Sequence, residues 1–346
     1  MKAAVFHGPG GSWPQKPISI EEVPVPVPAD GEVLVKVAAC GLCRTDLEYL
    51  KVEGATPKPP PIILGHEPVG TVAETGREVN RITAGQRVLI ATAIPCLACD
   101  LCRTGRKNLC PDMVLVGANR GGAFAEYVTA PATGVIPLPD SLPLEESAII
   151  TDAVATSYHA VYNRAQVKRG DTVAIYGASG GLGLICVQIT SAIGARVIAI
   201  GRKKWKLEKA LEYGASEIIS TGEVDSVDRA VRRITDGGAD ISIDVSGIAR
   251  MIESACRATR PGGRIIVVGF SFEKIQLSVN RLMWQELNVL GSKNYHLSDM
   301  PAIIGLVENG VVKPGKIVSH RFKLEEINEA YRMLERGEML RGIVIP

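Results

Sequence analysis

No apolar run in this chain reaches the roughly 18 residues that a bilayer-spanning helix needs, so no segment is a candidate membrane anchor. The opening stretch, "MKAAVFHGPG", lacks the apolar core and the cleavage site of a secretory signal. Neither sign of charge is in excess: 39 basic residues face 37 acidic ones, a formal net charge of +2. That balance removes the electrostatic case for nucleic acid or an acidic membrane surface as partner. Eight cysteines in 346 residues do not make the dense disulfide scaffold of a small secreted domain. Internal repeats and low-complexity tracts are missing too. These absences predict a soluble cytoplasmic protein with a small-molecule substrate, no nucleic-acid partner and no membrane partner.

What is present points to two domains. The chain is 46% hydrophobic, carries 36 glycines and is too long for one core of ordinary size. Its first half reads as short apolar strands, such as "MKAAVF" and "EVLVKVAACG", broken by proline and glycine turns such as "PVPVPADG" and "KPPPIILG". An irregular lobe interrupts it at about residues 91–115. From about residue 170, strands alternate with helices: "DTVAIYG", "GLGLICVQITSAIG", "ARVIAIG", "KWKLEKALEYG", "ADISIDVSG", "ARMIESACRATR" and "GGRIIVVGF". That alternation predicts a parallel sheet covered on both faces. The tail, "KLEEINEAYRMLERGEMLRGIVIP", reads as one amphipathic helix and a last strand.

The turn "GASGGLG" sets Gly177, Gly180, Gly181 and Gly183 between a strand and a helix. Small residues there let the backbone approach a pyrophosphate at the helix N-terminus, and the following strand completes the context of a dinucleotide site. Ser179 and Leu182 lie in the same turn. An NAD site usually offers an acidic residue at the end of the second strand, about 20 residues beyond the glycines. Here Gly201 stands at that point, followed by Arg202, Lys203 and Lys204. A carboxylate repels a 2′-phosphate, whereas these cations attract one, which favours NADP(H) over NAD(H).

Cys96, Cys99, Cys102 and Cys110 are spaced C-x2-C-x2-C-x7-C. Four thiolates close a tetrahedral zinc site and leave no open position, so the cluster reads as structural. A redox C-x-x-C would need two thiols rather than four. A different constellation has catalytic character: Cys43 in "CGLCRTD", with His66 and Glu67 in "GHEPVG". The other histidines, His7, His159, His296 and His320, show no ligand spacing. Cys40, Cys186 and Cys256 read as buried thiols in apolar segments.

Together these motifs resemble the zinc-dependent medium-chain dehydrogenase/reductase family, of the alcohol dehydrogenase type. The resemblance runs essentially end to end and in order: "CGLCRTD", "GHEPVG", the cysteine lobe, "GGAFAEYV", "TDAVATSYHAV", "GASGGLG" and "LRGIVIP". It implies an α/β chain built of a GroES-like β-rich catalytic domain and a Rossmann doubly wound parallel-sheet domain. The catalytic domain would span 1–153, the NADP(H)-binding domain 154–293, and a return segment, 294–346, would complete the first. Two zinc ions per chain and a homodimer or homotetramer are further implications.

By the same resemblance, Cys43, His66 and Asp152 would hold the catalytic zinc, with Glu67 beside the metal or alternating as a ligand. Thr45 matches the hydroxyl that receives the alcohol proton. Glu48 stands where many members carry the histidine that ends the proton relay. Arg44 and Arg341 match basic residues that reach the cofactor pyrophosphate, while Val268 and Gly269, in "VVGF", match the segment along the nicotinamide. Thr92 falls where several members place a bulky aromatic against the substrate, and its small side chain points to secondary or bulky alcohols. The expected reaction is reversible oxidation of an alcohol to a ketone or aldehyde. A zinc-free enone or quinone reductase is the alternative that "GASGGLG" leaves open, because the first glycine of the family's usual G-x-G-G-x-G is replaced, Ala178 preceding "SGGLG". Polyol, sugar and amino-alcohol oxidation stay open within the main reading, and a non-catalytic protein fits the metal-ligand set poorly.

Overall fold

The computed structural model describes residues 1–8 and 17–346. The chain divides into two compact units. The first comprises Met1–Asp152, His296–Glu308 and Lys313–Pro346; the second comprises Ala153–Tyr295 and Asn309–Val312.

The first unit is built on strands of mixed length. Its seven-stranded sheet runs in the order Val135–Pro137, Arg87–Ile90, Pro68–Thr75, Glu32–Gly41, Arg341–Ile345, Val318–Lys323, with Tyr127–Pro131 also pairing along Glu32–Gly41. The long strand Glu32–Gly41 is rich in valine and mostly buried, as suits a central strand covered on both sides. A smaller sheet sets Lys2–Phe6 between Ile18–Glu22 and Ile62–Ile63. The core beneath gathers Phe6, Leu47, Leu50, Leu64, Phe124, Tyr331 and Val344.

One register fixes where the end of the chain lies. The C-terminal strand pairs antiparallel with Glu32–Gly41, Val344 opposite Cys40 and Ile343 opposite Gly41. The Leu42 N–H donates to the Gly342 carbonyl at 3.0 Å. Continued by two residues, the register brings Arg341 beside Cys43. The tail helix Ile327–Arg336 repeats its apolar side chains at helical spacing, buries Ile327, Ala330 and Tyr331, and ends on Gly337 in the left-handed conformation.

The second unit holds six parallel strands, ordered Glu217–Ser220, Arg196–Gly201, Thr172–Tyr176, Ala239–Asp244, Thr259–Val267, Asn288–Gly291. Numbered along the chain this is 3-2-1-4-5-6, the Rossmann order. Val173, Ala174, Ile175 and Tyr176 are all fully buried, so both faces of that strand are covered. Strands Glu217–Ser220 and Asn288–Gly291, at the two edges, are shorter and less apolar than the runs that reveal the rest.

Candidate active site and metal centres

Four segments of the first unit converge on one point. Cys43 is the N-cap of the helix Arg44–Lys51. His66 and Glu67 follow Gly65, whose φ of +94° turns the chain where a Cβ would meet the Phe124 backbone nitrogen at 2.9 Å. Asp152 lies just beyond the short helix Glu146–Ile150. Arg341 begins the C-terminal strand.

Cys43, His66, Glu67 and Asp152 each offer a donor atom, and these atoms lie within 4.8 Å of one another. Cys43 Sγ is 3.5 Å from Asp152 Oδ2. His66 Nε2 is 3.9 Å from Asp152 Oδ2 and 4.0 Å from Glu67 Oε1. A tetrahedral zinc with bonds of about 2.0–2.3 Å sets its donors roughly 3.3–3.8 Å apart. Thiolate, imidazole and carboxylate are zinc donors. The charge also fits: Cys43, Asp46, Glu67 and Asp152 can supply up to four negative charges, against which the same group sets the guanidinium of Arg341 and the imidazole of His66. A divalent cation answers that imbalance.

Asp46 is fully buried and orients His66. Its Oδ1 lies 2.9 Å from His66 Nδ1, and its Oδ2 accepts from the Tyr331 hydroxyl at 3.1 Å. Holding Nδ1 leaves Nε2 directed at the other donors. Burial opposes a charged His66, but Asp46 and then Cys43 outweigh it and raise its pKa above the ordinary range. Neither Asp46 nor Tyr331 was assigned a role from sequence. Asp46 carries a usable signal, since it follows Cys43 by three residues on one helix. Tyr331 carries none beyond its place in an apolar stripe.

Glu67 is fully buried, and Arg341 Nη2 donates to its Oε1. The same Nη2 is 3.6 Å from Asp152 Oδ2. Glu67 Oε2 is unpartnered among the described residues and rests over Gly41, where a Cβ would lie 1.9 Å away. Arg341, expected at the pyrophosphate, is thus 6% exposed and engaged with the donor cluster.

Thr45 is half-buried, its Oγ1 3.6 Å from Cys43 Sγ. Arg44 is exposed, with Nε 3.9 Å from Glu48 Oε1 one turn along the helix. Thr92 is half-buried, and its Oγ1 lies 2.9 Å from the His66 carbonyl and 3.1 Å from that of Thr151.

The four-cysteine lobe opens on a two-stranded ribbon, Ala93–Ile94 against Val114–Leu115, and gathers all four thiols. Backbone N–H groups of Ala98 and Cys99 each approach Cys96 Sγ at 3.4 Å and hold its thiol down to about 7. Burial pushes the Cys102 thiol up to about 12. Cys99 Sγ and Cys110 Sγ are 3.8 Å apart. A closed, all-sulfur set of this size matches structural zinc.

In the second unit, strand Thr172–Tyr176 ends in Gly177, whose φ is +85°. A Cβ on Gly183 would meet the Gly177 carbonyl oxygen at 2.4 Å, so glycine there permits close helix–strand packing. Gly180 caps the helix Gly181–Ile193, bringing Ser179, Gly181 and Leu182 to its N-terminus. At Gly201 a Cβ would stand 2.6 Å from Ser179 Oγ. Arg202 is exposed, while Lys203 N-caps the helix Lys204–Glu212, whose first turn holds no acidic residue. Lys204, grouped with them from sequence, instead pairs with Glu223 at 3.2 Å. Lys206, unassigned from sequence, is 5% exposed; burial, then Lys203 and Arg202, lower its pKa to about 8. The N–H groups of Val268 and Gly269 are engaged by the Asp244 carbonyl, at 2.8 and 3.1 Å.

Among known proteins, the family model described as alcohol dehydrogenase GroES-like domain matches residues 29–140, and that of zinc-binding dehydrogenase matches residues 181–309. Sorbitol dehydrogenase of Bacillus subtilis (strain 168) is 33% identical over 353 residues, covering 100% of this chain and 97% of its own. Two solved structures cover 100% of the chain at 31% identity and a TM-score of 0.90. One is a NAD-dependent alcohol dehydrogenase, covered over 100% of its length; the other, covered over 99%, is a protein of Sinorhizobium meliloti 1021 bound to NADP.

Proposed function

Because the chain belongs to the zinc-dependent medium-chain dehydrogenase/reductase family, of the alcohol dehydrogenase type, we propose that it interconverts a secondary or otherwise bulky alcohol and its ketone or aldehyde with NADP(H). The observation that carries this reading is the gathering of Cys43, His66 and Asp152, with Asp46 behind the imidazole and Arg341 on Glu67. Bound there, zinc would supply Lewis acidity to the substrate oxygen, as the nicotinamide would supply the hydride acceptor.

The chain's own groups do the rest. Cys43, His66 and Asp152 would hold the metal, and aspartate in place of a second thiolate would leave it more electrophilic. Arg341 holds the Glu67 carboxylate beside the cluster by donating to its Oε1. Thr45 receives the proton from the alcohol oxygen. Glu48, three residues on and thus on the same helical face, passes it to water; its side chain is 24% exposed.

NADP(H) is favoured by what surrounds Gly201. No carboxylate ends that strand, and a side chain there would collide with Ser179. Arg202, Lys203 and Lys206 crowd a helix N-terminus, which by its dipole favours anions over cations. A 2′-phosphate relieves that repulsion. Arg44, exposed at its helix start, is assigned to the pyrophosphate.

The test is a substrate panel of ethanol, cyclohexanol, a secondary alcohol and sorbitol, each with NADP+ and NAD+, on wild type, C43A and H66A. Turnover of cyclohexanol or the secondary alcohol with NADP+, lost in both variants while the fold is kept, is expected. Full activity in either variant would overturn the site assignment, and reduction of an enone without zinc would favour the reductase reading.

A further inference from the structure

Thr92 occupies a place that its sequence position alone does not explain. Its single hydroxyl lies 2.9 Å from the His66 carbonyl and 3.1 Å from the Thr151 carbonyl. One carbonyl belongs to a donor residue of the metal cluster, and the other to the residue bonded to a second donor, Asp152. His66 and Asp152 are far apart in the chain and share no element of secondary structure. Their donor atoms, Nε2 and Oδ2, are nevertheless 3.9 Å apart.

The hydroxyl has one proton to share between the two carbonyls, so it ties both peptide groups to one oxygen. Thr92 is itself anchored. Its carbonyl accepts from the Val116 N–H at 3.2 Å, and the next residues, Ala93–Ile94, pair with Val114–Leu115 at the root of the four-cysteine lobe. A β-branched residue also has few χ1 choices, which keeps the hydroxyl aimed.

We infer that Thr92 is a positioning residue for the catalytic metal: its hydroxyl fixes the spacing of the backbone segments that present His66 and Asp152. The inference rests on the metal reading of that cluster. Outer groups that orient ligands typically change metal affinity by about 10- to 100-fold, and a link shared by two ligand segments belongs with them.

The test uses full-length protein loaded with zinc and mixed with a colorimetric chelator, following zinc release in wild type, T92V and T92S. T92V keeps the shape and removes the donor; T92S keeps the donor and removes the methyl. In T92V one zinc per chain is expected to leave about 10- to 100-fold faster than in wild type, with the other, in the four-cysteine lobe, leaving at the wild-type rate. T92S should release both close to the wild-type rates. If T92V does not fold, T92A gives the same comparison. Equal release from T92V and wild type overturns the inference and leaves the metal reading intact. So does T92S as fast as T92V, which would assign the effect to packing, and so does equal acceleration of both zincs, which would mean general loosening. A wild type holding zinc only in the lobe removes the metal reading, and the inference with it.

Discussion

Arg341 donates through Nη2 to Oε1 of Glu67, 274 residues earlier in the chain, and both side chains are buried. The pair locks the last strand of the chain to the loop that carries His66. Removing one partner of a buried pair is costly because the other charge stays behind.

R341A should therefore lower the unfolding free energy by about 3–5 kcal/mol in metal-free protein, read as a lower urea midpoint at unchanged slope. Adding E67Q should recover part of that loss. A single-variant loss below about 1 kcal/mol, the value of an exposed pair, would mean that Glu67 is satisfied by other groups.

Tyr331 and Asp46 form the next link. Y331F takes one donor from a buried carboxylate and should cost about 1–3 kcal/mol, again by urea unfolding. D46N weakens the hold on His66 Nδ1 and should lower affinity for zinc at the Cys43 site by about 10- to 100-fold, measured by competition with a chelator. Wild-type zinc affinity in D46N would show that the imidazole is oriented by packing alone.

Local motifs were legible in the sequence because their chemistry is contained in a few adjacent residues. The C-x2-C-x2-C-x7-C run brings its own ligands together, and the strand–glycine–helix order announces a parallel sheet. Cys43, His66 and Asp152 became readable as a set only through resemblance, since nothing in their spacing requires them to meet. The contacts that tune the site were not legible at all. Tyr331 reaches Asp46 across 285 residues, and Arg341 reaches Glu67 across 274. Such pairs leave no periodicity: the first joins the helices Ile327–Arg336 and Arg44–Lys51, and the second follows from the register of the C-terminal strand. Thr92 was read by the size of its side chain, whereas the structure uses its hydroxyl. The edge strands Glu217–Ser220 and Asn288–Gly291 escaped for lack of a long apolar run.

The cation group beyond Gly201 makes a pH prediction. Lys206 has a folded pKa of about 8, below its ordinary 10.5. A depressed lysine favours the fold fully above its unfolded pKa, and the benefit is lost as pH falls through the folded value. Stability should thus rise as pH climbs from about 8 towards 10.5, with a smaller rise in K206M. An anion beside Lys206 raises its pKa, so NADP+ should bind with proton uptake near pH 8 and more weakly above it, whereas NAD+ should show neither effect. Calorimetry in buffers of different ionisation enthalpy reads this directly. Equal proton uptake with both nucleotides would contradict the 2′-phosphate assignment.

R202A/K203A should raise the KM for NADP+ far more than that for NAD+. Parallel losses for both nucleotides would mean that these side chains act on the shared part of the cofactor. Initial-rate kinetics at fixed alcohol concentration separate the two outcomes.

The decisive measurement for the two-metal reading is zinc content per chain, by elemental analysis of protein purified without chelator. Close to two zinc ions are expected, falling to one in C43A with its four-cysteine lobe filled and to one in C99S with its Cys43–His66–Asp152 site filled. Close to one in wild type, with no second ion and no activity gained on adding zinc, would contradict it.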